Sequence, residues 1–219
     1  MESKSFMEEE LVKLRRSVLD MASRVEADIG KALSSFVNGD KDLAKEVISN
    51  DTLINDLQII IEDETAAAIA TQAPVAGDMR ELIAIFKIAG NLERIGDYAV
   101  HLAKAAIKLM EEPPFRSLEH IEKMTETGQI MLRSAISAFL AKDAEAAREA
   151  AKMDFIIDTE HKLLTEEVLD FIKLKKGGVK KAVRMLKTSG NLERLGDHIT
   201  TICESVVYMV IAKREELNA

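Results

Sequence analysis

The chain has 219 residues, of which only 4% are aromatic with no Trp, and its ten Gly and three Pro leave few turn-forming residues. A sandwich or barrel, which needs a turn every ~8–12 residues, is disfavoured, and long helices are expected instead. Thirty Lys and Arg against 38 Asp and Glu give a net charge of −8 without a basic block, which argues against binding nucleic acid through its phosphates.

Taken in chain order, the first half predicts helices over residues 6–38, 40–71 and 77–111. Asn38-Gly39 ends the first of these, Asp40 caps the second, and Pro74 stops it. Pro113-Pro114 then separates residues 1–112 from 113–219, because proline removes a donor and restricts the residue before it. The second half predicts helices over 116–141, 143–174 (capped by Asp143) and 178–215. The fold class is therefore all-α, two bundles of three long helices each.

The two halves are a duplication. Gly90-Asn91-Leu92-Glu93-Arg94-Ile95-Gly96-Asp97 recurs 100 residues later as Gly190-Asn191-Leu192-Glu193-Arg194-Leu195-Gly196-Asp197. Upstream the offset is 103, pairing Phe36 with Phe139, Asp40 with Asp143, Asp51 with Asp154, Ile54 with Ile157 and Glu64 with Glu167. The three-residue difference falls where Gln72–Gly77 faces Lys176-Gly177-Gly178, and a connection is where such a difference is tolerated. An apolar seam at three-and-four spacing runs through Ile85, Leu92, Ile95, Ala99, Leu102, Ala106 and Leu109, and again through Met185, Leu192, Leu195, Ile199, Ile202, Val206 and Met209. The ten Met read as core filler, and the one cysteine, Cys203, reads as a small core residue. One cysteine also excludes an intramolecular disulfide or a cysteine-rich zinc site.

At about 100° per residue, Glu93 and Asp97 point away from the seam, with Gly90 beside them and Gly96 nearer to it. Glu193, Asp197, Gly190 and Gly196 repeat the arrangement. Two glycines inside a helix cost about 1 kcal/mol each relative to Ala, so the helix face must be kept bare for something. Two readings are open: a solvated polar face, with Arg94 offsetting Asp97, or a stripe of carboxylate oxygens offered to a hard cation. A second helix would then contribute Asp154 and Asp158, placed on the flank of their own seam, with His161 on the same stripe. The first-half equivalents are Asp51 and Asn55, one charge fewer. His101 and His198 follow the acidic motifs as secondary ligand candidates, and His120 and His161 read as surface residues. A di-iron carboxylate bundle needs Glu-x-x-His, which is missing. Phosphate loops, dinucleotide fingerprints and nucleophile elbows are missing too, so no catalytic residue is assigned and the chain reads as a non-enzyme.

The duplicated unit, the turn Ala73-Pro74-Val75-Ala76-Gly77-Asp78-Met79-Arg80 and the doubled Asn-Leu-Glu-Arg-x-Gly-Asp resemble the PhoU family of phosphate-uptake regulators over about residues 6–213. The resemblance implies two symmetric three-helix bundles, a homodimer, and a cytoplasmic regulator that restrains a phosphate transporter through its ATPase subunit and helps silence a sensor histidine kinase, reaching the membrane only through partners. It also implies multinuclear iron or other metal clusters at Glu93 and Asp97, at Glu193 and Asp197, and at Asp154 with Asp158; Asp51 joins as the repeat equivalent of Asp154, and Asn55 departs from the Asp expected beside it. Oxygen ligands equally admit manganese, magnesium, calcium or zinc. A metal-storage or redox bundle and a plain dimeric scaffold are the alternatives. The acidic start of the chain, Met1–Glu10, and the lack of any run of about 18 apolar residues fit a cytoplasmic location.

Overall fold

The computed structural model describes residues 6–109, 118–174 and 178–218. Among them are helices α1 (Phe6–Asn38), α2 (Lys41–Gln72), α3 (Ala76–Leu109), α4 (Leu118–Ala141), α5 (Ala144–Ala151), α6 (Asp154–Lys173) and α7 (Val179–Ile211). At 1.5 Å per residue, the longest of these reach about 50 Å. The Pro113-Pro114 boundary lies outside the described residues.

Local chemistry starts the helices where the sequence indicates. Asp40 Oδ1 accepts from the amides of Asp42 and Leu43 at 2.9 and 3.0 Å, and Asp143 Oδ1 accepts from that of Ala146 at 3.0 Å. The residue before each cap sits in the left-handed region: Gly39 at φ 70° in the first half and Lys142 at φ 53° in the second. A non-glycine residue there costs about 1–2 kcal/mol. Lys142 offsets this by donating to Glu81 Oε2 at 2.6 Å, tying the α4–α5 corner to α3. Glu81 is itself buried and takes a second bond from Arg15 of α1 at 2.5 Å.

α1, α2 and α3 pack on one another, and α4, α5, α6 and α7 form the second bundle. The halves join through α3 against α7 and α1 against α4. Both predicted seams are buried except at Leu109, which is partly buried, and they belong to one continuous apolar cluster. Met21, Met124, Met131, Met185 and Met209 fill that core, and Cys203 is fully covered. Burial pushes its thiol up to about 12, so it is inert.

Two predicted elements differ. The single helix expected over 143–174 is two: α5 ends at Ala151, and a short turn with Met153 N bonded to Ala150 O starts α6 at Asp154. No proline or glycine marks the break. The helix expected to reach 215 stops at Ile211, where Ala212 adopts φ 59°, and the remaining chain turns back onto the bundle. Among the described residues no helix is long and apolar enough to cross a membrane.

Candidate functional site

Helical spacing places a polar stripe on the middle helix of each half. On α2 it is Asp51, Asn55, Gln58 and Glu62, all half-buried; on α5–α6 it is Asp154, Asp158, His161 and Thr165. The intervals of four, three and four residues keep each stripe on one face. Each faces the repeated acidic segment of the following long helix. The site is thus a groove between two helices, once per half.

The glycines explain how close those helices come. A Cβ at Gly96 would meet Ile54 Cγ2 at 3.3 Å, and one at Gly196 would overlap the Asp154 carboxylate and crowd Ile157 at 3.1 Å. The bare helix face expected from the sequence is therefore filled by the neighbouring helix. Gly90 and Gly190 are roomier, with Glu62 Oε1 at 3.7 Å and His161 Cε1 at 3.9 Å.

In the first groove the Glu93 side chain is 15% exposed and that of Asp97 is 35% exposed. Burial and then the Asp97 charge push the Glu93 carboxyl above its ordinary range; Asp51 and Glu62 add to this, and Arg94 opposes it. Glu62 is a site residue that the repeat comparison misses, since its counterpart is Thr165. Extending the four-three-four spacing beyond Asn55 would have found it. Asn55 Oδ1 is buried without a hydrogen-bond partner.

The second groove is more acidic at its floor. Asp154 belongs to the buried seam, not to its flank as expected, and is 3% exposed. It follows Ala147, Ala150 and Ala151 at helical spacing, and Gly196 vacates the space for its carboxylate. Thr200 reaches Asp154 Oδ2 at 3.4 Å, while Oδ1 has no partner. Burial, together with the charges of Asp158 and Asp197, holds its pKa up at about 6. Glu193 and Asp197 are also raised, by burial first and then by Asp197 and Asp158 respectively. Like-charged carboxylates thus share each groove, and their charges push the Glu93, Asp154, Glu193 and Asp197 carboxyls upward. Among the described residues no three His, Cys, Asp or Glu side chains already converge into a metal cage.

The histidines sort differently from their sequence reading. His120 is half-buried and tied down: its Nδ1 lies 2.6 Å from Glu160 Oε2, a buried carboxylate that also receives Lys123 at 2.5 Å. His161 meets Ser189 Oγ at 2.9 Å on the groove side of α6. His198 sits between the halves, 2.8 Å from Asn91 Oδ1 and 5.7 Å from the Tyr98 ring centroid, and burial lowers its pKa. His101 is exposed.

These features define a protein made by duplicating a three-helix unit, each copy carrying an acidic groove in the same place. The PhoU domain matches residues 18–106 and again 121–206, starting and ending at the same 103- and 100-residue offsets as the repeat itself. The chain belongs to the PhoU family. It is 31% identical over 217 residues, 99% of each chain, to the phosphate-specific transport system accessory protein PhoU homolog of Clostridium acetobutylicum. The crystal structure of PhoU from Pseudomonas aeruginosa superposes with a TM-score of 0.90 at 31% identity, covering 94% of this chain and 99% of that one. The phosphate transport system regulatory protein PhoU from Streptococcus pneumoniae gives 0.89 at 30% identity, covering 95% and 99%.

Proposed function

We propose that the chain is a negative regulator of phosphate uptake and of phosphate-starvation signalling. It works as a cytoplasmic homodimer, binding the ATPase subunit of a phosphate-specific transporter and a phosphate-responsive sensor histidine kinase. The observation that carries this is the full-length match, in sequence and in structure, to proteins named as accessory or regulatory components of phosphate transport. Among the described residues no catalytic constellation competes with it, and the proposed role rests on association with partners.

The acidic grooves are the metal-binding part of the proposal. Glu93, Asp97 and Asp51 would hold ions in the first half, and Glu193, Asp197, Asp154 and Asp158 in the second. The donor chemistry fits a hard cation: an all-oxygen set, raised carboxyl pKa values, and unpartnered buried oxygens on Asp154 and Asn55. A bound cation would neutralise the mutual repulsion of these carboxylates. Co-purification of the tagged chain with the transporter ATPase tests the partner reading: retention of the ATPase is expected, and its absence contradicts the proposal. Replacing Glu93, Asp97, Glu193 and Asp197 together by Ala should remove bound metal; unchanged metal content contradicts the assignment of these faces.

A further inference from the structure

The two grooves differ in what lies over them. Past Ala212 the chain doubles back along α7, and four successive contacts hold it down. Arg214 stacks over the Tyr208 ring at 5.7 Å, and Glu215 accepts from Arg148 of α5 at 2.8 and 3.0 Å. The Leu217 amide donates to Glu204 Oε1 at 3.0 Å while its side chain packs on the core. Last, Asn218 Nδ2 donates to Asp197 Oδ1 at 2.7 Å, and the same side chain lies against Asp154. The strap therefore runs from the end of α7 back to its repeated acidic motif. In the first groove, among the described residues, the partner of Asp97 is Arg94 of its own helix.

We propose that this strap, residues 213–218, is a built-in competitor of divalent cations for the second acidic groove. The proposal rests on the metal reading above and makes the two grooves inequivalent. The groove is more than a cluster of acids, because Asp154 is 3% exposed, has an unpartnered Oδ1, and faces Asp158 and Asp197. Asn218 bonds Asp197 Oδ1 and lies against Asp154, so its amide occupies the place where a cation shared by these two carboxylates would sit. The cation and the amide donor therefore exclude each other at Asp197, and by linkage a bound ion must loosen the strap as much as the strap weakens the ion.

Mn²⁺ titration followed by electron paramagnetic resonance tests this in a chain whose first groove is silenced by Glu93→Gln and Asp97→Asn. Truncation after Ala212 should tighten Mn²⁺ binding about tenfold, the scale of one lost charge-assisted hydrogen bond. Asn218→Ala, which keeps the Arg148 and Glu204 anchors, should recover part of that gain and guards against misfolding of the truncated chain. Equal affinities in the full and truncated chains overturn the strap while leaving the metal reading intact. No binding in either chain removes the metal reading of this groove and the strap with it. Trypsin gives an independent readout, since Lys213 and Arg214 are exposed within the strap. In the unmodified full chain, Mn²⁺ should accelerate cleavage there, and an unchanged rate with Mn²⁺ bound refutes the coupling.

Discussion

Asp154→Asn should stabilise the metal-free protein at neutral pH. The Asp154 carboxyl has a pKa of about 6 in the folded chain against an ordinary value of 3.8, because burial and the charges of Asp158 and Asp197 disfavour its ionised form. A group that binds its proton more tightly when folded makes stability fall as pH rises between those two values, and the loss persists above the higher one. At 1.36 kcal/mol per pKa unit, the penalty at pH 7.5 is about 2–3 kcal/mol. Asn is nearly isosteric, carries no charge, and its amide can donate toward the neighbouring carboxylates. Urea unfolding in chelator at pH 4.5 and pH 7.5 is the assay. The parent should lose stability across that interval relative to the variant, with the midpoint difference larger at the higher pH by about 2 kcal/mol of stability. A variant less stable than the parent at pH 7.5, or a pH profile parallel to it, refutes the reasoning.

Glu81→Ala should destabilise the fold by about 3–5 kcal/mol, because it leaves Arg15 and Lys142 facing an empty, largely buried site. Although burial pushes the Glu81 carboxyl upward, the bonds from Arg15 and Lys142 outweigh it and hold its pKa low, so its stabilisation is present at neutral pH and lost on acidification. Acid titration of the parent and variant by circular dichroism should show that difference shrinking as pH falls. Gly196→Ala should lower the melting temperature through the overlap with Asp154, at a cost of about 1–3 kcal/mol, whereas Gly190→Ala should be neutral or stabilising by up to ~1 kcal/mol, since its Cβ meets only His161 at ordinary contact. Equal effects at the two glycines would contradict the groove geometry. Adding Mn²⁺ should raise the melting temperature of the parent and not of the four-carboxylate variant.

Much of this architecture could be read from residue spacing. The apolar seams, the two aspartate caps and the period of the repeat each depend on local chemistry, and each is where the sequence places it. The break after Ala151 was hidden because neither proline nor glycine marks it and the residues on both sides favour helix. The inward position of Asp154 was hidden for a related reason: a carboxylate in an apolar stripe reads as a flank residue until the opposing Gly196 is seen to make room for it. The repeat does not mark Glu62, because its counterpart in the second half is Thr165. The return of residues 213–218 is tertiary, since nothing local tells a frayed helix end from a strap whose anchors, Arg148 and Asp197, lie far back in the chain.

The regulatory role is tested most directly by phosphate uptake in phosphate-replete cells of the source organism, comparing the parent strain with one lacking this chain. Uptake should rise when the chain is removed, return to the parental rate when it is restored, and stay low when the transporter ATPase is deleted as well. An uptake rate that does not change on removing the chain would contradict its assignment as a negative regulator of phosphate transport.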